Sequence, residues 1–360
     1  MVALIVAVGV ALGRSRHDGR DEERGVLAAV PEDAWLVVTV DVDALRRSAL
    51  ARPLLGGGPG AGGAVDALPG LGSLSSACGF DPLARLRQIA LASPEGGERG
   101  EFGVAFAGDL TQRELTGCAE KAIVARGGRP VTSARDGFTV VEDTSDPQHA
   151  RVAYRDGGPF LVGRGAWLDA MMDAAAGKGA RARADHEALR DALAPTGGAA
   201  PRAVVLTALL PRALREKLKS ELAAEGGSPA SLAARQGDGE RAYAAVLSVA
   251  AAGLALSTGG SGSTTHLAAE LRCETPAACD EVKKLIERKR LSASQNLGLR
   301  LVGLGPLLDS LEVEVHGTSL SARARAPTDD LARALGRVLA LRAPPPAAPP
   351  HGAVGADAGQ

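Results

Sequence analysis

One structural phrase is written twice in this chain: a strand that runs into a capped helix with a cysteine near its start. In the later copy, Leu267, Ala269 and Leu271 alternate with Ala268, Glu270 and Arg272, which is the period of a half-buried strand. Thr275 then supplies an N-cap and Pro276 suits the first helical position. Val282, Leu285, Ile286 and Lys289 mark one helix face. In the earlier copy Phe102, Val104 and Phe106 alternate, and Thr111 with Glu114 three residues on forms a capping box. Leu115, Cys118, Ala119, Ala122 and Ile123 share a stripe before Gly127-Gly128 stops that helix. Phe102 and Leu267 stand 165 positions apart, and an internal duplication is the simplest account of the recurrence, the alternative being coincidence between two ordinary α+β domains.

The flanking segments extend the parallel. The first half begins with a β-branched strand at Trp35–Val42, followed by a helix from Asp43, its expected cap, to Leu55. The glycine tract Gly56–Gly63 formally contains G-x-G-x-x-G, but it follows a helix and holds Pro59, so it reads as a loop and not a dinucleotide site. Ile89–Ala92 is expected to pair with Phe102–Phe106. Further strands follow at Phe138–Val141, Arg151–Tyr154 and Phe160–Val162, and then a helix with Trp167, Leu168, Met171 and Met172. The second half restarts with the strand Ala203–Leu210 and a helix from Arg212 to Ala224, with a polar insert at Gly226–Glu240. Leu254 and Leu256 alternate, and Leu311–Ala326 reads as a hairpin turning at Gly317-Thr318 with Glu312 opposite Arg323. Thr328 opens a last helix.

These orders predict an α+β fold with an internal duplication. Two tandem ferredoxin-like domains are expected, each a β-α-β-β-α-β antiparallel sheet with an extra strand and helix, helices lying on one face. The expected domains are 27–177 and 201–342. Before them come a signal-like or truncated membrane-anchor segment at 1–13 and a charged spacer at 14–26. A linker at 178–200 carries a short helix near Asp185–Leu193, and a Pro/Ala-rich tail at 343–360 is expected to be disordered.

Met1–Gly13 is an uninterrupted apolar run, too short for a span of about 20 residues but suited to a signal-peptide core. No basic residue precedes it, and a start codon placed too far downstream would make it the end of a longer anchor. The expected location is therefore exported or membrane-anchored and extracytoplasmic, with the cytoplasm as the alternative. A net charge of −1 and a pI near 6.6 exclude a nucleic-acid footprint, which needs a basic face. Aromatics at 2% leave little for base stacking.

The residues name no reaction. His17, His149, His186, His266, His316 and His351 include no pair at metal-ligand spacing, and His186-Glu187 lacks the second His of H-E-x-x-H. No Walker A or nucleophile elbow is present. No catalytic, cofactor-binding or metal residue is assigned, and no cofactor is expected. The mixed charges from Glu281 to Arg290 read as a solvated helix face. The expected function is a non-catalytic, membrane-tethered or exported envelope protein acting as a binding or structural module. Its partner would be another envelope protein, or the membrane through the N-terminal segment; the oligomeric state is open. The alternatives are a hydrolase or transferase whose site assembles from distant residues such as Asp41, Asp109 and His266, or a carrier of a small apolar ligand.

Four cysteines allow three pairings. The duplication selects Cys78 with Cys118 and Cys273 with Cys279, one bridge in each half. Such bridges suit an oxidising compartment, whereas four reduced thiols would suit the cytosol.

Overall fold

The computed structural model describes residues 25–51, 77–94, 101–146, 150–178, 184–194, 202–217, 244–258 and 263–342. The apolar run at 1–13, the glycine tract at 56–63, the polar insert at 226–240 and the tail at 343–360 lie outside these residues.

Alternating β-branched and small residues build twelve strands. They are β1 (Ala34–Asp41), β2 (Leu86–Pro94), β3 (Gly103–Gly108), β4 (Pro130–Arg135), β5 (Phe138–Asp143), β6 (Arg151–Tyr154), β7 (Phe160–Gly163), β8 (Arg202–Leu209), β9 (Val249–Thr258), β10 (Thr264–Cys273), β11 (Glu312–His316) and β12 (Ser319–Pro327). All join one sheet in the order β11-β12-β10-β9-β8-β1-β2-β3-β7-β6-β5-β4. Every neighbouring pair is antiparallel. The halves of the chain meet where β1 pairs β8, from Leu36 opposite Ala208 to Val40 opposite Val204. Counted outward from that seam, β3 is the third strand on one side and β10 the third on the other. The Phe102 and Leu267 stretches thus hold matching positions in the sheet.

The ferredoxin-like order does not form, and the halves share one sheet instead of building two. A split β-α-β unit needs two parallel strands with a third strand inserted between them. The helix after β1 is α1 (Val42–Arg47). β2 lies directly beside β1 and runs antiparallel to it, which is the arrangement of a meander and not of a split unit.

Helices also cover both faces, not one. Val38 and Val40 of β1 belong to one apolar cluster with Leu45 of α1 and, further along the same face, Leu115 of α2 (Gln112–Ala125). Val37, pointing the other way, belongs to the apolar cluster that holds Trp167, Leu168 and Met171 of α3 (Gly165–Ala175). On that second face the strands offer small residues, Ala90, Ala92, Gly103, Ala105 and Ala153. A Cβ built on Gly103 would meet Met171 Sδ at 2.0 Å and Trp167 Cδ1 at 2.9 Å, so this glycine is the notch that lets α3 seat. Val26, assigned to the charged spacer, is fully buried in the same cluster.

Further helices are α4 (Ala184–Ala192), α5 (Pro276–Ser294), α6 (Leu297–Val302), α7 (Gly305–Asp309) and α8 (Thr328–Arg342), and residues 212–217 are helical where a helix from Arg212 was expected. Thr111 and Thr275 are the N-caps expected for α2 and α5, and Thr111 forms its capping box with Glu114. The hairpin register placing Glu312 opposite Arg323 is present. Asp41, not Asp43, caps α1: its carboxylate accepts from Ala44 N at 2.7 Å. Asp43 instead pairs with Arg46 at 2.9 Å. Strand β1 ends one residue earlier than its apolar run because Val42 turns inward as the first helical residue.

Candidate functional site

Asp41, Asp109 and His266 lie toward the same end of the sheet but do not come together. Asp41 is engaged in its cap. Asp109 follows β3 and pairs with Arg87 of β2. His266 sits on β10 opposite Ser257 and Arg325. β10 is three strands from β1 and five from β3. Strand spacing makes these separations about 14 Å and about 24 Å. These three residues, offered as one example of a site assembled from distant positions, do not form one. Among the described residues, no group of three or more His, Cys, Asp or Glu could hold a metal ion.

The four cysteines do come together, in two pairs at disulfide distance. Cys78 lies beside Cys118 of α2 with their Cα atoms 4.4 Å apart, and Cys273 beside Cys279 of α5 with Cα atoms 5.6 Å apart. All four are buried, Cys279 completely. The first pair ties the segment before β2 to the helix after β3. The second closes the turn from β10 into α5. Arg215 reinforces that turn from the preceding strand connection, donating to Leu247 O at 2.7 Å and to Glu274 Oε1 at 2.6 Å. The Glu274 carboxyl is held below its usual range by the Arg215 hydrogen bond and charge. Paired, buried cysteines fit an oxidising, extracytoplasmic setting.

The densest buried polar group lies elsewhere, where α4 crosses the β1–β8 seam. His186 Nε2 is 2.9 Å from Ala34 O, and Nδ1 is 2.8 Å from Thr207 Oγ1. A carbonyl can only accept, so Nε2 donates to Ala34 O; in the neutral ring Nδ1 then accepts from the threonine hydroxyl. One turn on, Arg190 Nη1 donates to Thr39 Oγ1 at 3.0 Å, and Arg202 Nη1 donates to Arg190 O at 2.6 Å. Burial lowers the Arg190 pKa to about 10, with Arg202 adding to the effect and Asp191 opposing it. His186, Leu189, Arg190 and Leu193 follow helical spacing on one face of α4. That spacing is the signal the sequence carries for this group. The segment at 178–200 is therefore more than a linker.

The opposite face of the sheet carries a partly open apolar surface. Leu254, on the interior strand β9, is 46% exposed, and its neighbours Leu206 and Ala269 are half-buried. Glu270, on the polar side of β10, has its carboxyl pushed above the usual range by burial. Among the described residues, no helix is long and apolar enough to cross a membrane.

No family model matches the chain, and no curated protein matches it. Among solved structures, crystal form III of TP0453 is similar with a TM-score of 0.45 and 13% identity, over 87% of this chain and 98% of that one. Crystal form I of TP0453 gives 0.43 and 12%, over 87% and 97%.

Proposed function

We propose that the chain is an exported envelope protein that works as a binding or structural module and performs no chemistry of its own. The observation that carries this reading is the burial of all four cysteines as two local pairs at disulfide distance. Buried pairs of this kind persist where thiols are oxidised and are rare where glutathione keeps them reduced. The apolar run at Met1–Gly13 supports export. The separation of Asp41, Asp109 and His266 removes those three residues as a joint site.

The finer architecture belongs to the same proposal. From the β1–β8 seam the strands run β1, β2, β3, β7 on one side and β8, β9, β10, β12 on the other. In both directions the third strand leads into a threonine-capped helix bearing a cysteine. Duplication of one ancestral unit accounts for this order. Cell fractionation with thiol labelling tests the reading. Intact cells treated with external protease should lose the protein, and material trapped by acid and alkylated without reductant should carry no label. Four labelled thiols on protease-resistant protein would overturn it.

A second reading, carriage of a small apolar ligand, draws on one observation: the 46% exposure of Leu254 in the interior of the sheet. Among the described residues Leu254 has Leu206 and Ala269 as its strand neighbours, and such an aliphatic surface suits a saturated chain more than a polar solute. Displacement of a fluorescent fatty-acid probe, lost in Leu254→Asp with the melting temperature retained, is the outcome expected if the surface is a site.

A further inference from the structure

The sheet has two edges, β11 and β4, and they are built differently. β4 joins β5 through Asp136-Gly137, whose φ values of 52° and 82° are those of a type I′ turn. Such a turn makes Arg135 and Phe138 a doubly hydrogen-bonded pair, so along β4 the odd positions point their backbone groups inward to β5. Thr132 and Ala134 therefore point their N–H and C=O groups outward. From Val131 to Arg135 every residue is exposed.

We propose that this edge pairs with the β4 edge of a second copy, antiparallel about a two-fold axis. The register sets Thr132 opposite Ala134 of the other copy. Backbone and side chains both select it. Thr132 and Ala134 of each copy meet in two narrow pairs, which makes about four main-chain hydrogen bonds. Ser133 then faces its own symmetry mate, and exposed Val131 lies under the aliphatic stem of the other copy's Arg135. Shifting the register so that Thr132 faces itself would oppose Arg129 to Arg135. Shifting it so that Ala134 faces itself would set Thr132 against the turn residue Asp136, whose positive φ takes it out of the strand.

The β11 edge refuses the same pairing. Its hairpin register leaves Val313 and Val315 pointing outward, so the two-fold register that uses both of them would oppose Glu314 to Glu314 across the axis. Edge strands are commonly protected by such charges, and β4 carries none between Pro130 and Arg135. A closed two-fold pairing also ends the assembly, whereas β4 on β11 of a second copy would propagate.

Analytical ultracentrifugation of the full chain over a concentration series tests this. The expected result is a monomer–dimer equilibrium. Ser133→Glu should raise its dissociation constant about fivefold or more, because like charges then face each other across the axis. Ala134→Pro should remove the dimer, since it deletes an outward N–H and no bond to β5. Ser133→Cys should give a covalent dimer on mild oxidation, with an unchanged melting temperature as the check on folding. A monomer at every concentration, a dimer indifferent to Ser133→Glu, or open-ended polymers would overturn the proposal.

Discussion

His186 is held from two sides by groups that nothing else at the seam can replace. Its ring fills the space between Thr207, which is fully buried, and the carbonyl of Ala34. His186→Ala leaves one acceptor and one hydroxyl buried without their partner, and should cost about 2–3 kcal/mol of stability in urea titrations. Thr207→Val should be much less damaging in the His186→Ala background than alone, because the two act on one bond. The ring's nitrogen shifts should report the proton on Nε2. At the half-buried start of α2, Glu114 has its carboxyl held at about 2 instead of 4.5, first by the Thr111 backbone N–H and then by Arg85. A folded value below the unfolded one means its contribution is full above pH 4.5 and is lost as pH falls toward 2. Glu114→Gln should therefore flatten the melting-temperature profile in that window and leave its neutral limb shifted but parallel. Glu114 was readable in the sequence because a capping box is local: Thr111 and Glu114 are three residues apart. The His186 pair was not, because Thr207 lies on a strand 21 positions away and no spacing rule connects them.

Strand and helix identities followed from local patterns wherever one face is apolar and the other polar. β10, α5, α2 and the β11–β12 hairpin belong to that class. β4 escaped because both of its faces are open, so Pro130–Arg135 shows no alternation. Its signal was the Asp136-Gly137 pair, which marks a two-residue turn by backbone preference alone. Two element-scale outcomes follow from the same packing. Gly103→Ala pushes a methyl into Met171 and Trp167, and should cost about 1–3 kcal/mol by displacing α3. The cysteine pairs should differ in weight, since Cys78–Cys118 spans 40 positions and Cys273–Cys279 spans six. Chain-entropy arithmetic gives about 4 kcal/mol for the long loop and about 2 for the short one. Cys78→Ala/Cys118→Ala should accordingly melt lower than Cys273→Ala/Cys279→Ala, with both measured against the oxidised parent.

At the scale of the whole molecule, what the sequence could not display is the joining of two halves into one sheet. Repetition told of two units, and each unit's own alternation was satisfied by a sheet of its own. Nothing local says that β1 and β8, each first in its half, would use their free edges on each other. Val37, Val38 and Val40 of β1 and Val205, Leu206 and Thr207 of β8 are apolar or small on both faces, which is the composition of interior strands and not of edges. With α4 laid across the seam on one side, the halves have no independent boundary at which to unfold. The chain should therefore unfold as one cooperative unit. Trp35 and Trp167, its two tryptophans, both belong to the first half, so their fluorescence reports that half while far-ultraviolet circular dichroism reports all twelve strands. The two signals should give coincident urea transitions with one midpoint. Residues 201–342 expressed alone should fail to reach that midpoint, because β8 would then present an unpaired apolar edge. A fluorescence transition clearly separated from the dichroism transition, or a fragment as stable as the parent, would show that the halves are domains after all and that the β1–β8 seam contributes little to holding the fold.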